Sequence, residues 1–274
     1  MDKIKLSAVA YHNTRPFLYG LRRSVLADQL EIQLDIPSEG ARKLRTGQVS
    51  LALVPVGVLH SVPQARIIAD WGIGCDGPVR TVCLYAEKPL EELQQIWMDY
   101  HSVTSVRLLT LLLRDYWKLN PELVPAAPGF REKIGGTTGG LVIGDRAMGL
   151  EHKFPYVYDL GQAWKAWTGL PFVFAVWAST KTLDPKFAQL FQQALADGVA
   201  HLPEVAALTE AQNLDAASRS LGFDLLEYFQ HNISYNLDAA KREGLTRFLK
   251  LIDHREAQWE TPAFPHQLSG SFKG

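Results

Sequence analysis

The chain of 274 residues carries 28 Lys and Arg against 29 Asp and Glu, has a net charge of -1, and is 47% hydrophobic. The hydrophobic content excludes a disordered chain, and the net charge gives no basic surface for nucleic acid. No stretch of about 18 apolar residues could span a membrane. The N-terminus lacks a signal-peptide pattern, so we expect a cytoplasmic protein with no membrane or nucleic-acid partner.

The first third of the chain alternates short β-rich segments with helical ones. This order predicts a parallel sheet with right-handed crossovers. Polar caps precede the helices, and a glycine follows the second one. The predicted elements are strand 3–10, a helix from Asn13 to Arg22, strand 31–36, a helix capped by Ser38 and ending at Gly47, and strand 51–56.

The remaining elements predict a second α/β unit inserted into the first. They are strand 79–86, strand 96–99, helix 102–118, strand 141–144, helix 159–167, strand 171–178, and helices from 185 to about 254. We expect lobe I to comprise 1–86 and 177–274 and lobe II to comprise 87–176. Two crossing segments, near 84–88 and 175–179, would then form a hinge beside a ligand cleft.

Two glycine-rich segments partly match the sequence motifs of nucleotide-binding sites. Residues 72–77 satisfy GxGxxG, but Pro78 and a β-rich run follow them, where the dinucleotide fingerprint needs a helix. Residues 135–140 are not followed by the Lys-Ser or Lys-Thr of a phosphate loop. We interpret the first segment as a loop and the second as a flexible turn.

The two cysteines and eight histidines lack the spacing of a metal site. Cys75 and Cys83 do not lie in a CxxC motif, and no HExxH pair occurs. Disulfide frameworks and zinc sites depend on such patterns. We therefore expect no metal site and no disulfide.

Polar residues begin the helices that follow two predicted strands. Asn13 and Thr14 follow the first strand, and Ser102, Thr104 and Ser105 follow strand 96–99. Such turns lie at the carboxyl ends of strands, where free N–H groups and the helix dipole favour an anion. Simple N-capping is the alternative, but three hydroxyls in four residues exceed what a cap needs.

Two further residues fall at the same sheet edge. Asp145 ends the predicted strand 141–144 and either braces the loops or faces the ligand. His12 precedes Asn13 and either faces the cleft or is an ordinary strand-end histidine. For Asp145 and for His12, the sequence alone fits both the structural and the ligand-facing role.

Taken together, seven segments resemble the chorismate dehydratase family of the futalosine route to menaquinone, whose fold is similar to type II periplasmic binding proteins. The NTRP turn within 8–17 and the TGLPFVFAVW run within 159–177 are the most specific. The other matching segments are 51–59, 77–86, 98–105, 141–148 and 231–238.

The resemblance implies a two-lobed α/β enzyme, a carbon–oxygen hydro-lyase that converts the dicarboxylate chorismate into 3-[(1-carboxyvinyl)oxy]benzoate and water without a cofactor. It implies a catalytic role for Asn13. The substrate-binding candidates are Thr14, Thr81, Ser102, Thr104, Ser105 and Asp145. The alternatives are a non-catalytic small-anion binding protein of the same fold, or the related 1,4-dihydroxy-6-naphthoate synthase, whose first turn is of a Pro-Asn-Asp type instead of NTRP.

Overall fold

The computed structural model describes residues 3–212 and 223–253. Eleven strands of this part of the chain form two separate sheets. The strands are β1 (Ile4–Val9), β2 (Leu30–Asp35), β3 (Leu51–Pro55), β4 (Arg66–Cys75), β5 (Val82–Ala86), β6 (Gln95–Met98), β7 (Glu122–Pro125), β8 (Thr138–Ile143), β9 (Tyr156–Asp159), β10 (Phe172–Ser179) and β11 (Ser234–Asn236).

Helices cover both sheets, and short helical turns connect them. The helices of nine residues or more are α1 (Arg15–Arg23), α2 (Pro37–Arg45), α3 (Val103–Leu111), α4 (Leu160–Thr168), α5 (Pro185–Ala200), α6 (Leu202–Gln212) and α7 (Ala239–Asp253). No helix of the described residues is both long and apolar enough to cross a lipid bilayer.

The first sheet has the order β11-β4-β10-β3-β1-β2, and the second has the order β7-β6-β8-β5-β9. Strand β1 is parallel to β2 and β3, which confirms the parallel arrangement predicted for the first third. Strand β10 runs antiparallel to β3 and β4, and β5 runs antiparallel to β8 and β9. Both sheets are therefore mixed.

The lobe boundaries differ from the predicted ones. Strand β5 belongs to the second sheet, although 1–86 was expected in lobe I, and all of β10 belongs to the first sheet, although lobe II was expected to extend to residue 176. The chain therefore crosses between Cys75 and Val82 and returns before Phe172. Apolar strands at a boundary can pair with either sheet, so their sequences do not identify the sheet that they join.

Three local predictions are also wrong. The segment 72–77 was expected to be a loop, but β4 continues to Cys75. A Cβ atom at Gly72 would lie 2.6 Å from the carbonyl oxygen of Ala175, so a close approach of β10 explains the glycine there. Helix α2 begins at Pro37 after Ile36, so Ser38 is not its cap. Strand β8 begins at Thr138 and includes part of the expected glycine turn.

Three short strands, β7, β9 and β11, were not predicted. They have only three or four residues each, too few for an alternating pattern to be recognised. Each pairs with one neighbour at the edge of a sheet. Their existence depends on an available sheet edge, which is a tertiary property.

Helices α1 and α5 pack through glycines. A Cβ atom at Gly198 would lie 1.8 Å from the carbonyl oxygen of Pro16, and one at Gly20 would lie 1.9 Å from that of Ala194. Only backbone without a side chain fits at this distance. The contact fixes α1, and with it the turn that precedes α1.

We expect Gly198→Ala to lower the free energy of unfolding by about 3 kcal/mol, because the added methyl group must push two helix backbones apart. Denaturant unfolding followed by circular dichroism measures this change. Gln193→Ala, at an exposed position of the same helix, is the control and should change stability by less than about 0.5 kcal/mol. Equal midpoints for the two variants would contradict the packing argument.

Candidate active site

A cleft lies where the carboxyl ends of several strands of the two sheets meet. Its empty volume, including the part open to solvent, is about 520 Å³. The lining residues are Val9, Tyr11, Asn13, Thr14, Pro37, Leu53, Pro55, Ile73, Val79, Thr81, Val82, Ser102, Ser105, Ile143, Gly144, Phe174 and Ala175.

One polar wall of the cleft is a hydrogen-bonded group around Tyr228. The hydroxyl of Tyr228 lies 2.7 Å from Oγ1 of Thr81 and accepts from Nδ2 of Asn13 at 3.4 Å. The hydroxyl of Thr14 donates to Oδ1 of Asn13 at 3.4 Å. Three of the predicted site residues therefore meet around a tyrosine that the sequence analysis missed.

Local structure explains the position of Asn13. Strand β1 ends at Val9, and the helical turn His12–Thr14 leads directly into α1. Pro16 lies in the first turn of α1, where its missing N–H is not needed. The turn thus carries the Asn13 side chain to the carboxyl end of a central strand.

The second polar wall is the beginning of α3. Oγ of Ser102 accepts from the backbone N–H of Ser105 at 3.3 Å and from its hydroxyl at 3.1 Å, so Ser102 is a true N-cap. Both serines line the cleft. The structure therefore supports capping and leaves the hydroxyl of Ser102 able to donate.

Thr104 does not belong to this wall. Its hydroxyl oxygen accepts from the backbone N–H of Gly57 at 2.9 Å, and the residue is fully buried between the lobes. The guanidinium of Arg107 donates to the carbonyl oxygen of Gly57. We therefore assign Thr104 to an inter-lobe contact in place of the predicted substrate contact.

Asp145 makes a second inter-lobe contact. Its carboxylate oxygens lie 3.0 and 3.2 Å from the backbone nitrogen of His12, and it is not among the lining residues. The structure therefore favours the bracing role over the ligand-facing one.

The pKa values of this pair argue against an ion pair near neutral pH. Burial raises the pKa of Asp145 from 3.8 to about 7, against the opposing effects of the His12 N–H and of Arg15. Burial and the nearby Arg15 lower the pKa of His12 to about 4. Although Nδ1 of His12 lies 3.6 Å from Oδ2 of Asp145, the imidazole is neutral, and the backbone N–H holds the carboxyl group.

A third contact joins Tyr11 to His101, whose Nδ1 lies 2.7 Å from the tyrosine hydroxyl. Burial raises the pKa of Tyr11, and burial with Arg146 lowers the pKa of His101 to about 4, so a neutral hydroxyl donates to a neutral imidazole. The Tyr11 ring lies against Gly144, which has a φ of 65° and where a Cβ atom would approach the ring to 2.6 Å. Only glycine suits this position.

The described residues that line the cleft include no Lys, Arg, Asp, Glu or His. Their polar groups are one carboxamide and several hydroxyls, set among aliphatic walls and Phe174. Within the same described residues, no group of three or more His, Cys, Asp or Glu side chains is placed to hold a metal ion. Cys75 and Cys83 are both buried free thiols.

Tyr11 and Tyr228 could not have been identified from the pattern alone. Tyr228 precedes the segment 231–238, but the sequence shows no strand–helix junction at residue 228. It reaches Asn13 and Thr81 from a π-helical turn, Tyr228–Asn232, which is a rare local structure. A single tyrosine in a helical region is more often a core residue.

Comparison with known proteins agrees with this geometry. The sequence model of a family described as menaquinone biosynthesis matches residues 4–254. A chorismate dehydratase of Thermus thermophilus is 30% identical over 275 residues, covering 87% of this chain and 96% of the relative. The chain belongs to the chorismate dehydratase family of menaquinone biosynthesis. The family expected from the sequence segments is thereby confirmed.

Solved structures with the same fold confirm the predicted architecture. Protein AF1704 of Archaeoglobus fulgidus has a TM-score of 0.67 at 15% identity, covering 92% of this chain and 97% of that one. The periplasmic aliphatic sulphonate binding protein SsuA of Escherichia coli has a TM-score of 0.58 at 12% identity, covering 93% and 92%. The family member described here therefore has a periplasmic-binding-protein-like fold.

We expect Asp145→Asn to remove a pH dependence of stability. The folded protein keeps the Asp145 proton up to about pH 7, whereas the unfolded chain loses it near pH 4. The contribution of Asp145 to wild-type stability therefore falls as the pH rises through this window. Asparagine does not titrate and can still accept from the His12 N–H.

Urea unfolding of both proteins between pH 4 and 8 measures this effect. The free energy of unfolding of the variant, minus that of the wild type, should increase from pH 4 to pH 7 and then level off. His12 titrates in both proteins, so its contribution cancels in the difference. A difference that stays constant across the range would contradict the raised pKa.

Proposed function

We propose that this protein is a chorismate dehydratase, a hydro-lyase that converts chorismate into 3-[(1-carboxyvinyl)oxy]benzoate and water. The reaction removes the ring C3 hydrogen and the C4 hydroxyl and makes the ring aromatic. Aromatisation supplies the driving force, and no electrons are exchanged with a partner. A redox cofactor is therefore not required by the chemistry.

One observation carries this proposal. The cleft offers hydrogen-bond donors without any charged lining residue among those described, and its walls are otherwise apolar. Donors of the Asn13 group and of the Ser102–Ser105 turn face the same space from different lobes, so each can take one carboxylate of a dianion. The N-terminus of α3 adds the favourable end of its dipole.

The same observation bears on the proton transfer. General base catalysis needs a group that titrates near the working pH. The described lining contains no such side chain, and the carboxamide of Asn13 cannot act as a base. We propose that the enolpyruvyl carboxylate of the substrate removes the C3 proton, while Asn13 orients that carboxylate. The C3–H electrons form the new ring double bond as the C4–O bond breaks, and the hydroxide leaves with that proton as water.

Thr14 and Thr81 have different parts in this proposal. The hydroxyl of Thr14 is buried and donates to the side-chain oxygen Oδ1 of Asn13, so it helps to orient the Asn13 carboxamide. Thr81 lines the cleft and can donate to the substrate. The hydroxyl of Ser102 donates to the ring carboxylate, Ser105 holds Ser102 in place, and Asp145 braces the lobes.

Purified protein incubated with chorismate, with EDTA and without added cofactor, should produce 3-[(1-carboxyvinyl)oxy]benzoate, detected by liquid chromatography with mass spectrometry. Loss of turnover in EDTA would contradict a metal-independent reaction. Saturable chorismate binding without product would instead favour a small-anion binding protein. Binding measured by calorimetry on the same preparation separates the two outcomes.

We expect Asn13→Ala to lower kcat about 100-fold or more while KM changes less than about threefold. Orientation of a reacting group can supply several kcal/mol of barrier lowering, and its loss affects kcat. Steady-state kinetics with chorismate measure both constants. Ser61→Ala, at an exposed position, is the control and should leave both unchanged. A rise in KM at constant kcat would restrict Asn13 to binding.

A further inference from the structure

The hydroxyl of Tyr228 connects three segments that are distant in the chain. It contacts Asn13 after β1 and Thr81 before β5, and it projects from the π-helical turn Tyr228–Asn232. The side chain is 1% exposed. Most buried hydroxyls have their hydrogen-bond partners inside the protein, and that of Tyr228 has two.

The donors and acceptors around Tyr228 favour one arrangement. The Asn13 NH2 group can only donate, so the oxygen of Tyr228 accepts from it. Tyr228 has a single proton, and Oγ1 of Thr81 at 2.7 Å is the acceptor that the structure provides. We take Tyr228 as the donor to Thr81, because the Thr81 proton has its own acceptor in the carbonyl of Val79. The sequence of donors then runs from Asn13 to Tyr228 to Thr81.

With donors in this order, each end of the hydrogen-bonded group keeps a proton that can turn toward the cleft. The hydroxyl of Thr81 donates to the carbonyl oxygen of Val79 at 3.4 Å and also lines the cleft, so its proton can turn from that carbonyl to a ligand. The second N–H of Asn13 is free, because Oδ1 already accepts from Thr14. Each end of the group can thus turn a donor toward a ligand, which is the arrangement that a carboxylate needs.

We infer that Tyr228 is a positioning residue that turns the Asn13 carboxamide and the Thr81 hydroxyl so that both donate to one substrate carboxylate. This inference rests on the proposed function and adds the group that orients its central residue. Tyr228 itself does not line the cleft and acts through Asn13 and Thr81.

The surrounding structure holds Tyr228 in place. Nδ2 of Asn232, at the other end of the π-helical turn, donates to the carbonyl of Pro78 at 3.1 Å, so the turn is tied to the same crossing segment that carries Thr81. Burial raises the pKa of Tyr228 above its usual value, which keeps the hydroxyl protonated. The donor direction is therefore the same throughout the physiological pH range.

The test is a double-mutant cycle with a matched control. Tyr228→Phe should lower kcat about tenfold, with KM changed less than about threefold, because Asn13 and Thr81 both lose the hydroxyl that orients them. In the Asn13→Ala background the same change should lower kcat about twofold or less. Equal effects in the two backgrounds would overturn the inference.

Tyr235→Phe is the control variant. Tyr235 is equally buried, lies seven residues further along the chain, and has a hydroxyl without a hydrogen-bond partner within the described residues. Its replacement should leave kcat and KM unchanged, and both variants should unfold within a few degrees of the wild type. A similar loss of kcat in Tyr235→Phe would assign the effect to packing.

A spectroscopic measurement keeps this inference separate from the proposed function. The side-chain NH2 signals of Asn13, identified in a 15N spectrum by their loss in Asn13→Ala, should shift in Tyr228→Phe and stay in place in Tyr235→Phe. Unshifted signals in Tyr228→Phe would overturn the inference even if chorismate is consumed. Shifted signals without any turnover of chorismate by the wild type would support the positioning and contradict the proposed reaction.

Discussion

The hydrogen bond between Tyr228 and Thr81 is the interaction on which the polar wall of the cleft depends. At 2.7 Å it joins the crossing segment between the two sheets to the helical part of the first lobe. Asn13 meets this pair through its amide nitrogen. Because the neighbouring walls are apolar, each donor in the group has few alternative partners, and the hydrogen bonds of the group depend on one another.

Contacts between the lobes explain why some predicted site residues do not face the cleft. Thr104 and Asp145 both accept hydrogen bonds from backbone N–H groups of the first lobe, at Gly57 and His12. A buried N–H without a partner costs free energy comparable to a lost hydrogen bond. These two residues therefore hold the lobes together, and Ser102 and Ser105 are left to line the cleft.

Much of the fold could be predicted because local sequence and local structure agree. The alternation of β1, the apolar run of β3 and the β-rich run of β10 each predict a strand, and the structure places strands there. The wrong predictions lie where contacts with a neighbouring strand, and not the local sequence, decide the structure. Gly72 is in a strand because β10 passes close to it, and β5 pairs with the second sheet because β8 and β9 offer it edges.

The sequence by itself determined the family, the alternating α/β order and the position of Asn13 and Ser102 at strand–helix junctions, because these depend on residues that are close in the chain. Only the tertiary structure decided that Tyr228 completes the Asn13 group and that Thr104 and Asp145 join the lobes. Tyr228 is 215 residues from Asn13. The direction of a hydroxyl at that separation depends on how two sheets and a π-helical turn pack, which no local pattern encodes.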